Sequence, residues 1–495
     1  MSDARITVVH SYSEPKVFYG WIIAALAVFS VAVTNGISGT GISAFYHAFI
    51  DEFGWSRAAI ATAGTLLLLL RGFAGPFTGP LWDRYGPKRF MVVGAAVIGI
   101  ALLFGYFINK PSHLYLMLLM MSVGVTLAGL GAGTFLVSNW FTRTRGVAMG
   151  ILFTGTSLGG MIFPPVSTYL ISAYGWRVAL VVYACFSFAV LAPLIYFFMK
   201  NRPADCGVPA DPHESDLFLR YGNKVKSVAG VAAILGALIY SPVSSFLLGM
   251  LGRRFTILIF AVLGVICLSV SAKYFATKTG FLAAPKASRS DPVEGAALPE
   301  ALASHSYWKL LLGSALCYYT INVIVQQFML SLQSPQVGFS PADAAWAYST
   351  LFFYSLMGKS LLGYLSDRFP KRAVNLISCA LMCVGTLILL EISRTSAWFF
   401  CLVFGLGYGG VTVTTKLVLA ELFGLRSLGK LLGIMTGAEA IFGGGGNLLT
   451  GRLFDATGSY EAAFKVMAAC SIASVILMAM LGRRPPAWSL RPAER

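Results

Sequence analysis

The chain has 495 residues, of which 57% are hydrophobic and only 12% charged, and its mean hydropathy is +0.74. Soluble proteins carry about 25% charged residues, so this composition argues against a cytosolic enzyme or any other water-facing globule. The formal net charge of +17 would suggest nucleic acid only if it formed one basic face, and instead it is spread over loops.

Residues 1–17 are polar and read as a cytoplasmic tail. The apolar run 18–47 exceeds the roughly 7–15 residues of a signal-peptide core and is predicted to be a first membrane span. A bilayer core takes roughly 20 apolar residues per helix. Further runs of that size lie at 58–79, 90–109, 114–138, 147–173 and 178–198, then at 307–331, 342–364, 373–391, 396–419, 428–450 and 463–482. They form an amino-terminal six-helix bundle, 18–198, and a carboxy-terminal one, 307–482. A central cytoplasmic linker, 199–306, joins them, and a tail, 483–495, follows. Lys and Arg gather in alternate loops, as in Arg84, Lys88 and Arg89, in Arg143 and Arg145, and in Arg483 and Arg484. The positive-inside rule then places both termini in the cytoplasm of a multi-pass plasma (inner) membrane protein. The lipid bilayer is its expected partner and a monomer its expected state.

Within the linker, Ser227–Gly252 and Phe255–Ala272 carry no charge. The insert 227–275 is therefore expected to form two extra helices, for fourteen spans. That hairpin leaves Arg253 and Arg254 outside, against the positive-inside rule. The alternative is twelve spans with both runs at the cytoplasmic face. None of the eight cysteines falls in a CxxC pair, so they read as small packing hydrophobes. No metal centre and no cofactor is expected.

Two loops are alike. Gly79-Pro80-Leu81-Trp82-Asp83-Arg84-Tyr85-Gly86-Pro87-Lys88-Arg89 follows the second span, and Gly363-Tyr364-Leu365-Ser366-Asp367-Arg368-Phe369-Pro370-Lys371-Arg372 follows the eighth. A repeat at matching places in two six-span sets is the mark of one transporter architecture. On these residues the chain resembles the major facilitator superfamily, whose loop has the pattern Gly-x3-Asp-Arg/Lys-x-Gly-x-Arg/Lys-Arg/Lys. The resemblance implies an all-α polytopic fold of two six-helix bundles related by pseudo-two-fold symmetry. It also implies a gating role for Asp83 with Arg84, Lys88 and Arg89, for Asp367 with Arg368, and for Arg143.

A narrower resemblance starts at Trp140. Phe141, Arg143, Ala148, Gly150 and Gly155 agree with a motif of monocarboxylate transporters, while Thr144, Leu152 and Thr154 depart from it. Tyr19-Gly20-Trp21, Glu52-Phe53-Gly54-Trp55-Ser56-Arg57, Tyr174-Gly175-Trp176-Arg177 and Gly458-Ser459-Tyr460 look like the related oxalate/formate antiporter group. This resemblance implies carriage of small organic anions of the monocarboxylate type.

Ionisable groups inside a bilayer are costly and mark function. Lys359 lies eight residues before Asp367, which is about 12 Å deeper along a helix. The related anion carriers bind the substrate carboxylate with a cation in the eighth span, so the resemblance makes Lys359 the expected anion contact. A lysine snorkelling to the interface is the alternative. Arg71 is either a second contact or the partner of an acid. Lys416 is a further candidate contact, and Glu439 is either a proton carrier or the static partner of Lys416 or Lys359. Asn35, Tyr318 and Asn322 are uncharged candidates for substrate contact, beside Tyr319, Gln326 and Asn447. The run Gly443–Gly446 reads as a bend or a point of close helix contact.

The expected function is secondary active transport of a small organic anion by alternating access, with proton symport or anion exchange. Efflux of drug-like or other amphiphilic compounds is the alternative within transport. A membrane ligand sensor that moves nothing is the alternative from another class. An enzyme is not expected, because the loops carry no metal-ligand cluster, nucleophile–base pattern or nucleotide loop. Nucleic acid is not an expected partner.

Overall fold

The structure is a computed structural model that describes residues 19–141, 145–206, 296–424 and 427–481. The insert 227–275 and both tails lie outside the described residues, as does Arg143. Within a bilayer every backbone N–H and C=O must be satisfied inside the segment, and long apolar runs do this as helices. The described residues form helical rods in two sets. The first comprises α1 (Tyr19–Phe53), α2 (Arg57–Tyr85), α3 (Pro87–Gly105), α4 (Pro111–Trp140), α5 (Arg145–Tyr174) and α6 (Trp176–Phe198). The second comprises α7 (His305–Leu332), α8 (Pro341–Arg368), α9 (Lys371–Glu391), α10 (Arg394–Phe423), α11 (Leu428–Thr457) and α12 (Glu461–Ala479). Ten rods are long and apolar enough to cross a membrane by composition alone. The other two, α8 and α11, hold Lys359 and Glu439, and their 28 and 30 residues are ample to span.

The two sets start and stop by the same local chemistry. Ser56 Oγ accepts from Ala59 N–H at the start of α2, and Ser340 Oγ accepts from Asp343 N–H at the start of α8. Each serine precedes the glycine of its signature loop, Gly79 or Gly363, by 23 residues. The loops themselves turn differently. Gly86 has φ +79°, and a Cβ there would lie 2.5 Å from the Asn201 side chain. Asn201 Oδ1 accepts from Lys88 N–H at 2.9 Å and so holds the start of α3. In the second copy Phe369 is extended at φ −120°. That turn needs no left-handed residue, which explains why its loop lacks the glycine.

The bundles meet along α2 with α11 and along α5 with α8, and α1 touches α7. Both seams taper. Near the α2 start, Gly451 packs on Ala58 and Gly444 on Thr65, and halfway along, Gly72 packs on Ala440. A Cβ at Gly433, one turn before Gly437 on the same face of α11, would meet nothing within 4 Å. On the other seam Gly160 packs against Phe352, whereas a Cβ at Gly150 would again meet nothing within 4 Å. Among the described residues the hydrogen bonds across the α2–α11 seam gather toward the end bearing Arg57, at Asp455, Tyr460 and Gly444 O. The run Gly443–Gly446 lies inside an unbroken α11 as a close-contact point, with Gly443 against Asn322 and Gly446 against the Tyr319 ring.

Candidate functional site

A cavity of about 120 Å³ lies between the bundles at the centre of the fold. One charged side chain, Arg71, lines it. Arg71 is half-buried on α2, and its guanidinium donates to Ser38 Oγ at 3.1 Å. Ser38 belongs to a π-helical turn, Gly36–Gly41, set into α1, and such turns recur at functional sites. Among the described residues no carboxylate pairs with Arg71.

The amides Asn35, Asn322 and Gln326 also line the cavity. Asn35 Nδ2 donates to Val31 O at 3.2 Å, and Asn322 Nδ2 donates to Tyr318 O at 2.8 Å. Gln326 Oε1 accepts from Tyr46 OH at 2.8 Å, a bond from α1 to α7 that ties the two halves. Tyr318, Tyr408 and Phe352 supply aromatic walls.

Lys359 and Lys416 stand behind those walls. The Lys359 ammonium is 5.8 Å from the Tyr408 ring centroid, and the Lys416 ammonium is 5.2 Å from that of Tyr318. Lys359 is only 4% exposed. Its ammonium donates across the α5–α8 seam to Phe153 O at 3.1 Å, to Ser157 Oγ at 2.8 Å and to Thr156 Oγ1, and Thr156 lines the cavity. A glycine on α10 makes this placement possible. A Cβ at Gly409 would lie 2.0 Å from Ser355 O, so α10 presses directly on the α8 backbone at Lys359. Lys416 is paired with Glu439, at 3.0 Å and 3.3 Å to its two oxygens. Ser314 Oγ donates to the same carboxylate at 2.5 Å.

The gating candidates other than Arg143 lie at the end bearing the signature loops. Arg84 stacks on Tyr85 and Arg368 on Tyr364, at 5.2 Å and 4.6 Å, and Lys88 lies over the Tyr196 ring. Arg89 is exposed. The side chains of Asp83 and Asp367 fall outside the description. At the other end the structure brings together Arg57 and Tyr460, from two of the terminal motifs, across the halves, and adds Asp455, which belongs to no motif. Asp455, at the end of α11, accepts from the backbone N–H of Arg57 at 3.0 Å and of Ala58 at 2.9 Å. The Arg57 guanidinium bonds Tyr460 OH and stacks 4.1 Å from the Phe454 ring centroid. Two of the terminal motifs also find each other, since Glu52 accepts from Trp176 Nε1 and pairs with Arg177 at 2.7 Å. Among the described residues no cluster of His, Cys, Asp or Glu could hold a metal ion.

Sequence reasoning singled out the charged groups but missed Ser38, Thr156, Ser157 and Asp455. Hydroxyls inside helices bond their own turn as readily as a neighbour, and Asp455 reads as an ordinary helix end until α2 is placed beside it.

Comparison with known proteins supports the same architecture. Rat (Rattus norvegicus) Monocarboxylate transporter 13 is 22% identical over 474 residues, which cover 94% of this chain and 89% of the relative. Monocarboxylate transporter 12 of the same species is 26% identical over 492 residues, covering 96% and 87%. The fold is similar to the crystal structure of a bacterial homolog of the human lysosomal transporter Spinster, in an inward-facing and occupied conformation. The TM-score is 0.60 at 14% identity, over 94% of this chain and 96% of the other. The sequence model of the Major Facilitator Superfamily matches residues 27–220 and 310–495, and on that match, with two six-helix bundles around a central cavity, the chain belongs to the major facilitator superfamily of membrane transporters.

Proposed function

We propose that this transporter carries small organic anions by alternating access and that Arg71 holds the substrate carboxylate. One observation carries the reading: a half-buried guanidinium faces the cavity between the halves with a serine hydroxyl, and no described carboxylate, as its partner. A cation so placed has lost part of its hydration and gains most from an anionic ligand, which it can hold through charge-assisted hydrogen bonds. The names of the two rat relatives point to the same class of cargo.

The remaining charges take supporting roles. Lys359 is a tether between α5 and α8, released and remade as the halves rock. Lys416 and Glu439 form a fixed ion pair, so coupling runs by exchange of one anion for another rather than by a proton on Glu439. With the basic loops in the cytoplasm, the tapered seams correspond to an inward-facing state, and Asp455 with Arg57 is the outer latch. Asp83, Arg84, Lys88 and Arg89, with Asp367, Arg368 and Arg143, close the inner face in the opposite state.

The test is thermal stabilisation of purified protein by a panel of carboxylates, since a ligand that binds the folded state raises its melting temperature. A carboxylate should stabilise the wild type and leave Arg71→Gln unmoved. Stabilisation by amphiphilic compounds, with none by any carboxylate, would replace this reading with efflux.

A further inference from the structure

The seam between α7 and α11, inside the second bundle, holds polar side chains that the central cavity does not reach. Asn447 and Thr450 on α11 are fully buried, and Tyr319 and Gln327 on α7 are 6% and 2% exposed. None of the four lines the cavity. Among the described residues, Tyr319 OH, Thr450 Oγ1, Gln327 Nε2 and both polar atoms of Asn447 have no hydrogen-bond partner.

Helix periodicity gathers them. Gly443, Asn447, Thr450 and Phe454 follow the i, i+4, i+7, i+11 spacing of one helix face. Gly443 on that face packs on Asn322 of α7, and the Tyr319 hydroxyl stands beside the Thr450 side chain without closing a hydrogen bond to it. Gly446 admits the Tyr319 ring, since a Cβ there would lie 2.7 Å from it. Farther along, Phe454 packs on Tyr460 with 4.6 Å between ring centroids, and Tyr460 OH donates to Gln327 Oε1 at 3.3 Å. The polar seam thus runs from Tyr319 to Tyr460 and the Arg57 guanidinium bonded to it.

One unpaired group is a tolerable defect in a folded interior. Five on one seam are not, because each has given up its hydrogen bonds to solvent. The set also selects its occupant. Tyr319, Thr450, Gln327 and Asn447 Nδ2 can all donate, whereas Asn447 Oδ1 can only accept. A bare anion would be repelled by that oxygen, and a cation by the amide N–H groups. Water donates and accepts, and a buried water takes about three such partners.

We infer that α7 and α11 are joined through a buried water site formed by Tyr319, Asn447, Thr450 and Gln327, separate from the substrate cavity. The water relays hydrogen bonds between side chains that do not pair directly, and so holds the seam in the part of the bundle nearer Arg57. The site does not depend on what Arg71 binds.

The experiment is X-ray radiolysis of the purified protein in water enriched in heavy oxygen, which oxidises side chains beside bound water even where bulk solvent does not reach. Tyr319 should take up label, whereas Phe400, fully buried between the Phe328 and Phe404 rings, should take up none. Thr450→Val keeps the shape of the side chain and removes its hydroxyl. It should lose most of the Tyr319 label and melt at a lower temperature, because the water loses a partner. In a dry seam the same valine removes an unpaired hydroxyl and raises the melting temperature. That rise, or an unlabelled Tyr319 in the wild type, overturns the site. Asn447→Leu should act as Thr450→Val does, and if it fails to fold, the wild-type label and Thr450→Val decide. Stabilisation of the wild type by chloride over gluconate at equal ionic strength, lost in Thr450→Val, would overturn the water in favour of an anion.

Discussion

Arg71 and Lys359 are both cations deep in the fold, one in each half, yet they meet opposite surroundings. Arg71 faces the cavity with one hydroxyl partner, whereas Lys359 is 4% exposed and bound by three oxygens of α5. The contrast shows that two cations at similar depth can differ in how much hydrogen-bonding capacity the protein leaves them. A buried charge is available to a ligand only where the protein leaves its hydrogen-bonding capacity unspent. Lys416 makes the same point from another side, because Glu439 has already taken its charge.

Four substitutions would break or sharpen this contrast. Glu439→Gln should have the largest effect, because it strands Lys416 as an unpaired charge. Losing one partner of a buried pair costs about 3–5 kcal/mol, so the melting temperature of the purified protein should drop sharply, and Glu439→Gln with Lys416→Met should recover most of it. A stable single variant would refute the fixed pair. Arg71→Gln comes next. A hydrogen bond to a charged group is worth about 1.5–3 kcal/mol, so substrate affinity should fall roughly tenfold to a hundredfold at unchanged thermal stability of the substrate-free protein.

Lys359→Met should act on rate rather than affinity. Binding should stay within about threefold while uptake slows several-fold, because three bonds across one seam are gone and the balance between the two states shifts. A loss of affinity as large as that of Arg71→Gln would return Lys359 to the substrate site. Asp455→Asn should be the mildest. A carboxylate at a helix start contributes about 0.3–1 kcal/mol, so the closed end should open only slightly more often. The readout is a small rise in labelling of Gly39→Cys, in the cavity where an added Cβ meets nothing within 4 Å, by a membrane-impermeant reagent added outside.

The sequence alone determined a good deal. Apolar run lengths set the helical rods, because a bilayer offers unpaired backbone groups no water. The repeated loops set the two-bundle architecture, and the scarcity of buried charge singled out Arg71, Lys359, Lys416 and Glu439 as the residues to weigh. Depth along a helix could be counted from Asp83 and Asp367, since the rise per residue is fixed.

What each charge does was decided by tertiary structure. Which way a side chain points around its helix, and which helix of the other half stands opposite, depends on packing between segments hundreds of residues apart. Lys416 and Glu439 could be proposed as partners but not joined until α10 and α11 were packed. The tether from Lys359 to Ser157 and Thr156, and the cap that Asp455 places on α2, leave no local trace, because serine, threonine and a helix-end aspartate are equally at home without them. The bilayer fixed the helices, and the contacts between them fixed which charge was left free.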